Sequence, residues 1–166
     1  MGRLAFLQGA PSEEVQVLLL RFGQRLIAGG MAAAGMVEIP LAAGADESLL
    51  DLASGRQFPI YQDLGRFSQS CSLDATGLSE AAGFLEAQMN AKTPVVIASK
   101  FGRTEAEGMG FCSVFAKALL LDIPVITSVN PHFDAPWLRF HGGLAQRLDP
   151  TAAAIEDWWA GTKTLE

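Results

Sequence analysis

The sequence predicts an α/β domain in which a mainly parallel sheet is covered by helices on both faces, giving three layers. Unbroken runs of β-branched and aliphatic residues at 95–98 and 124–129 are typical of strands buried on both faces. Segments with the apolar spacing of helices lie between these strands, and such alternation predicts right-handed parallel crossovers. The length of 166 residues suits one domain over residues 1–166.

The first part of the chain predicts a strand, a turn and a long helix. Residues 4–7 form the strand, and the turn that follows ends at Ser12, the expected N-cap of the helix. Glu13 and Glu14 would lie in the first turn, where the helix dipole favours negative charge. Apolar residues at positions 15, 18, 19, 22 and 26 mark the buried face, and Gly29-Gly30 ends the helix.

The middle of the chain predicts a local hairpin followed by a helix. A strand is expected over residues 35–41, and two short strands at 49–52 and 58–61 flank the turn 54–57. Residues 62–74 are polar and irregular and are predicted to form a loop. A second helix is marked by the apolar residues Leu78, Ala82, Leu85 and Met89.

The last part predicts two more helices, with a loop or short helix over residues 130–143 and a strand at 145–148. The third helix carries Phe111, Val114, Phe115, Ala118 and Leu119. The final helix is expected to have Asp149 as N-cap, Pro150 as its first residue and Gly161 as its stop. Trp158 and Trp159 are adjacent there, so one is expected in the core and the other at a subunit interface of a homodimer.

Composition excludes several classes of protein. The net charge is −6 and Lys and Arg form no cluster, which argues against nucleic-acid binding. No apolar run approaches the length of a membrane span or a signal peptide, so we expect a cytoplasmic protein. Cys71 and Cys112 form no CxxC pair and have no nearby His, so neither a disulfide nor a zinc site is expected. His132 and His141 are expected to have surface or structural roles. No resident cofactor is identified.

In parallel α/β sheets, ligands bind at the carboxyl ends of the strands, which here are followed by loops 8–14, 62–74, 99–110 and 129–143. Gly9 and Ser12 lie in the first loop, where a P-loop would hold phosphate. The second Gly and the Lys of a P-loop are missing, and two glutamates add negative charge. Ordinary triphosphate hydrolysis is therefore not expected, and the alternative is a plain strand-to-helix turn.

The 99–110 loop carries the densest set of candidate residues. Lys100 and Arg103 would hold an oxyanion, and Gly102 and Gly108 would allow close backbone approach. Glu105 would act as a base, a metal ligand or a salt-bridge partner. The alternative is a solvated loop with weak surface ion pairs.

The 62–74 loop contains Asp63, Arg66, Ser70 and Cys71, whose polar groups and thiol could line the same site. Cys71 would be a nucleophile if nearby cations lowered the pKa of its thiol. Its alternative role is that of a small buried apolar residue.

Four segments carry a family resemblance: residues 52–56, 62–65, 70–74 and 100–108. With them, the sequence resembles a bacterial family of uncharacterised proteins often encoded beside molybdate-transport genes and sometimes labelled molybdenum-transport ATP-binding proteins. The resemblance extends over nearly the whole chain, including Trp137 and Gly142-Gly143. The resemblance indicates which family the sequence belongs to, but it does not imply a particular chemistry.

The order of elements is also distantly similar to that of the small P-loop nucleotide phosphatase-kinases. In those proteins the strand matching residues 95–98 ends in Asp-Glu, where this chain has Ser99-Lys100, whereas Glu105 keeps its matching position. The resemblance implies a P-loop-like fold with a degenerate P-loop and a lost magnesium-binding acid. A Lys at that place would suit direct contact with an anion.

Three functions follow as hypotheses. The first is a protein that binds an anionic ligand, a nucleotide or an oxyanion such as molybdate, without efficient hydrolysis. The second is a nucleotide phosphatase in which Glu105 positions water. The third is a regulatory or scaffold protein that acts through a homodimer or partner surface.

Overall fold

The computed structural model describes residues 3–40, 47–60 and 75–164, so the predicted 62–74 loop lies outside the described residues. The strands are β1 (Leu4–Leu7), β2 (Ala34–Pro40), β3 (Glu47–Asp51), β4 (Gln57–Pro59), β5 (Val96–Ile97), β6 (Val125–Ser128) and β7 (Ala145–Leu148). The helices are α1 (Ser12–Ala28), α2 (Ala75–Gln88), α3 (Arg103–Ala106), α4 (Cys112–Leu120), α5 (Asp134–His141) and α6 (Ala152–Lys163), with a 3₁₀ turn at Pro131–Phe133.

The described strands form one sheet in the order β4-β3-β2-β5-β6-β1-β7. Along this order, β2, β5, β6, β1 and β7 pair in parallel. The pairs β2–β3 and β3–β4 are antiparallel. The mainly parallel sheet and the local hairpin are therefore both confirmed. The carboxyl ends of β1, β2, β5 and β6 meet at one edge.

Helices cover both faces of this sheet, as predicted. Along β1, Leu4 and Phe6 face the core that packs against α2, α4 and α5. Ala5 and Leu7 face the opposite core, which packs against α1 and α6. Successive strand residues point to opposite faces, so one apolar strand contributes to both cores. Trp137 on α5 is a core residue, with 2% of its surface exposed.

The family motif at residues 52–56 is a structural turn between β3 and β4. The carboxylate of Asp51 accepts hydrogen bonds from the backbone N–H of Ser54 at 2.9 Å and from its hydroxyl at 2.6 Å. Gly55 has a φ of +75°, which favours glycine. The Arg56 guanidinium lies 4.6 Å from the centroid of the Phe58 ring. These contacts give the motif a structural role in the turn.

Three predicted helix ends were wrong. Ser12 is the first residue of α1 and Pro11 occupies the N-cap position, with no side-chain hydrogen bond to the cap. In α6 the N-cap is Thr151, whose hydroxyl accepts a hydrogen bond from Ala154 N at 3.1 Å, so Asp149 and Pro150 precede the helix. Gly161 does not stop α6 because it lies inside the helix and is buried.

The prediction that Trp158 or Trp159 lies at a subunit interface was also wrong. Their exposed fractions are 2% and 6%, and both belong to the core beneath α1 and α6. Trp159 packs edge-on against Phe22, with centroids 6.1 Å apart, and Lys163 Nζ lies 5.0 Å from its centroid. The buried face of α6 is wide enough to include two successive positions about 100° apart.

In the described part of the chain, no helix has the length and apolarity to cross a membrane.

Candidate functional site

A cleft of about 320 Å³ lies at the carboxyl ends of β1, β2, β5 and β6. It is lined by six of the predicted site residues: Gly9, Ser12, Lys100, Gly102, Arg103 and Glu105. Gly108 does not line it, and the four candidates of the 62–74 loop, Asp63, Arg66, Ser70 and Cys71, lie outside the described residues. The prediction that loops 62–74 and 99–110 share one pocket therefore stays a prediction.

The turn after β1 is held from two sides. The Gln8 side-chain amide donates to Asp134 Oδ1 at 2.7 Å and to Val129 O at 3.2 Å. Arg147 Nη2 donates to Gln8 O at 3.2 Å from the other side. Gly9 then turns the chain with a φ of +119°, where an added Cβ would lie 3.4 Å from Arg147 Nη2. The turn is thus fixed where a P-loop would surround phosphate.

The spacing from Gly9 shows how this turn differs from the P-loop pattern. In the P-loop pattern the second Gly, the Lys and the Ser or Thr follow the first Gly by about five, six and seven residues. Those positions hold Glu14, Val15 and Gln16 here. Val15 is 3% exposed and belongs to the core, so the residue at the spacing of the P-loop Lys is an apolar core residue.

Gln16 joins α1 to the ends of three strands. Its Nε2 donates to Ser99 O at 2.8 Å, and its Oε1 accepts from the backbone N–H of Glu38 at 2.9 Å. Ser128 Oγ also donates to Ser99 O, at 2.7 Å. The side chain at the P-loop hydroxyl position therefore binds the protein itself. Sequence reasoning missed Gln16, although its spacing from Gly9 was a usable signal.

The floor of the cleft contains an ion pair that sequence reasoning also missed. Lys100 Nζ lies 2.7 Å from Oε1 of Glu38, and the exposed fractions of the two side chains are 37% and 7%. Burial raises the pKa of Glu38, Lys100 lowers it in part, and Glu47 raises it further. The available signal was an acidic residue within the apolar strand 36–39.

Glu105 is buried and organises the loop that forms one wall of the cleft. Its Oε2 accepts from Gly102 N at 3.0 Å and its Oε1 accepts from Phe111 N at 3.1 Å. Burial raises the pKa of Glu105, and the two backbone bonds oppose that rise. The Cys112 thiol donates to Glu105 O at 3.2 Å, and burial raises the pKa of Cys112 to about 11.

The start of α1 and Ser99 supply polar groups to the lining of the cleft. The first bond within α1 runs from Val15 N to Pro11 O, so the N–H groups of residues 12–14 precede the helical ladder. Ser99 lines the cleft and is 1% exposed. These donors and the Lys100 ammonium suit an oxyanion.

A model of the family described as "Protein of unknown function (DUF2478)" matches residues 4–158. The chain belongs to this family. It is also 30% identical over 167 residues to "Molybdenum import ATP-binding protein ModC 2" of Bradyrhizobium diazoefficiens. That match covers 98% of this chain and 19% of the relative, so the chain spans about a fifth of the relative's length.

The DUF2478 chain has a P-loop-NTPase-like fold. It superposes on the crystal structure of THEP1 from the hyperthermophile Aquifex aeolicus with a TM-score of 0.63, covering 98% of both chains. The two sequences are 14% identical, so the likeness concerns the fold alone. The expected P-loop-like α/β fold is confirmed.

The remaining candidates of the DUF2478 chain lie at the rim or away from the cleft. Arg103 is exposed and pairs with Glu107 at 3.7 Å, a weak surface contact. His141 is buried, and its Nδ1 accepts from Gly143 N and Ala145 N, which is a structural role. His132 is exposed. Within the described ranges, no three His, Cys, Asp or Glu residues are grouped to hold a metal ion.

Proposed function

We propose that this chain binds an anionic ligand, a nucleotide or an oxyanion such as molybdate, in the cleft and does not hydrolyse it efficiently. The observation that carries the proposal is Lys100, whose ammonium lies on the floor of a cleft at the carboxyl ends of parallel strands. Ligands of open α/β sheets bind at this edge. The name of the relative, a molybdenum import ATP-binding protein, supports both ligand classes.

The changes at the P-loop positions argue against magnesium-dependent hydrolysis. Val15 supplies no charge to a phosphate, and the Gln16 amide is already bonded to Ser99 O and Glu38 N. Hydrolysis by water would also need a base, and both oxygens of Glu105 already accept backbone N–H groups. The ligand would instead meet the Lys100 ammonium directly, as an anion does without a bridging metal.

The N-terminus of α1 supplies a second attraction. This helix is 17 residues long, its first residue Ser12 lines the cleft, and no side chain caps its N-terminus. Partial positive charge at a helix N-terminus attracts anions. Glu13 and Glu14 oppose a highly charged triphosphate there, which favours small oxyanions or monophosphates over ATP.

A thermal-shift panel on the purified protein tests the proposal. The panel contains ATP, ADP, GTP and AMP with and without magnesium, and molybdate, tungstate, sulfate and phosphate. A ligand at about 100 times its Kd stabilises the folded state by about 2.7 kcal/mol. We expect a rise in Tm of several degrees for at least one anion, and no steady phosphate release from ATP.

The matched variants separate the cleft from general charge effects. Lys100→Met combined with Glu38→Gln removes the ion pair without leaving a buried charge unpaired, and we expect it to lose the shift. Lys92→Met removes an exposed Lys from the loop before β5, at the opposite edge of the sheet, and should keep the shift. A shift that survives the double substitution would refute the assignment to this cleft.

The panel also separates the alternatives. Steady phosphate release that disappears in Glu105→Gln would favour the nucleotide phosphatase. No response to any anion would favour a regulatory or scaffold protein, which would then need a contact surface other than the buried Trp158 and Trp159.

A further inference from the structure

We propose that Glu38 is a proton site coupled to the anion site, so that the cleft takes up its anion together with about one proton. The inference rests on the proposed function, because it concerns the same cleft. It adds a second ligand, the proton, and predicts how pH controls the first.

The geometry keeps Glu38 within the cleft. Its backbone N–H is held by Gln16 Oε1 at 2.9 Å, and β2 pairs with strands on both sides. Its side chain is 7% exposed and reaches Lys100 Nζ at 2.7 Å. The carboxylate is therefore largely removed from bulk water and contacts the cation that an incoming anion would also contact.

The charges around Glu38 are mainly negative. Lys100 approaches from the loop after β5, Glu47 acts from the start of β3, and Gln16 on α1 is uncharged. Glu105 also interacts with Lys100. Among these described groups, the Lys100 ammonium interacts with the carboxyl groups of Glu38 and Glu105, so a bound anion would be a further negative group competing for it.

Such competition favours protonation of Glu38. Burial already raises the pKa of Glu38, and the attraction of Lys100 is the main effect that opposes the rise. An anion at Lys100 weakens that attraction and adds repulsion between like charges, and both effects favour the neutral acid. In the balanced step, the free ion pair, the anion and one proton from solvent give Lys100 ammonium bound to the anion, with Glu38 as a neutral carboxylic acid.

The sign of the pH dependence follows from this step. At a pH between the pKa of Glu38 in the free protein and its higher pKa in the complex, binding takes up a proton, so the affinity increases as the pH falls. Once Glu38 is already protonated in the free protein, a further fall in pH has no effect. The steepest part of the curve should approach about tenfold in Kd per pH unit, the limit for one linked proton.

Isothermal titration calorimetry of the full chain with sulfate, and separately with molybdate, measures the linked proton. Sulfate is chosen because its own charge is constant between about pH 5.5 and pH 8.5, where an unperturbed Glu, of pKa about 4.3, would be ionised. Titrations in two buffers with different ionisation enthalpies give the number of protons taken up. We expect net proton uptake that is greatest at a pH between the pKa of Glu38 in the free protein and its pKa in the complex.

Two variants test whether Glu38 is the site. Glu38→Gln has nearly the same shape and no titratable group, so we expect tighter sulfate binding at about pH 8 and a Kd that no longer depends on pH. Glu156→Gln removes an acid that is paired with Arg25 between α1 and α6, and it should behave as the unmodified chain does. Thermal unfolding without ligand checks that each variant is folded.

The outcomes distinguish this inference from the proposed function. Lys100-dependent binding without proton uptake, or with a pH dependence unchanged in Glu38→Gln, overturns the inference and leaves the proposed function standing. Failure of both sulfate and molybdate to bind overturns the inference. It overturns the proposed function only if the nucleotides also fail in the thermal-shift panel.

Discussion

Gln16 Oε1 accepts a hydrogen bond from the backbone N–H of Glu38 at 2.9 Å, which joins the start of α1 to the strand that carries the buried acid of the cleft. Residues at the P-loop hydroxyl position normally face a ligand, whereas Gln16 is 5% exposed and faces strand ends. This hydrogen bond therefore ties the start of α1 to the strand that forms one side of the cleft.

Replacing Gln16 should therefore destabilise the fold. We expect Gln16→Ala to lower the free energy of unfolding by about 1–3 kcal/mol, because Glu38 N–H loses its buried acceptor. Urea denaturation measures the change. Gln24→Ala, an exposed position on the same helix, is the control and should change stability by less than about 0.5 kcal/mol. Equal effects of the two substitutions would contradict the structural role of Gln16.

A pair of glycines tests how Glu105 shapes the cleft wall. Gly108 and Gly110 have φ values of +85° and +59°, so alanine at either position should cost about 1–2 kcal/mol through strain. A Cβ at Gly110 would also collide with Glu105 Oε1, whereas nothing lies within 4 Å of one at Gly108. We expect Gly110→Ala to be less stable than Gly108→Ala by about 1–3 kcal/mol.

The glycine comparison has an internal check. Adding Glu105→Ala to each variant removes the colliding oxygen, so the difference between the two glycine sites should shrink in the double variants. Thermal or urea unfolding of the four proteins measures it. A difference that is unaffected by the loss of Glu105 would mean that this carboxylate does not limit the space at Gly110.

Acid should destabilise the protein through His141. Its Nδ1 accepts two backbone N–H bonds, which a protonated imidazole cannot do, and burial lowers the pKa of His141. With a folded pKa below the unfolded value of about 6.5, this contribution is complete above that pH and is lost as the pH falls. The free energy of unfolding should fall by at most about 1.4 kcal/mol per pH unit through this residue.

Substitution identifies the His141 contribution. The free energy of unfolding of His141→Asn should fall less between about pH 7 and pH 5 than that of the unmodified chain. His132→Asn, at an exposed position in the 3₁₀ turn before α5, serves as the control and should keep the original slope. The same slope in all three proteins would exclude His141 as the source.

Close packing between β2 and β5 gives a further prediction. A Cβ at Gly35 would lie 2.8 Å from both the Cβ and the backbone oxygen of Ile97. Relieving this clash would require the backbone of β5 to move, which is energetically costly. We expect Gly35→Ala to destabilise by about 1–3 kcal/mol or more. Gly83→Ala, on the exposed side of α2 with open space around it, should instead stabilise by about 0.5–1 kcal/mol. Urea denaturation of the two variants measures whether each free energy of unfolding falls or rises.

Part of the site could be predicted from the sequence because it depends on local order along the chain. A loop that follows a buried strand must emerge at the carboxyl edge of the sheet, so Lys100 and Gly102 could be assigned to the cleft. The hydrogen bonds of Gln16 to Glu38 and Ser99 could not be predicted from local order along the chain. Their hydrogen bonds connect α1, β2 and the end of β5, separated by 22 and 83 positions.

By itself, the sequence determined the alternation of strands and helices, the parallel core of the sheet and the loss of the P-loop residues. These follow from residue types and spacings within a few positions, such as the apolar run at 95–98. Tertiary structure decided that both Trp158 and Trp159 are buried, that Glu105 bonds backbone on both sides, and that Lys100 meets Glu38. Those outcomes depend on which side chains distant segments bring together, and the packing of the whole domain sets that pairing.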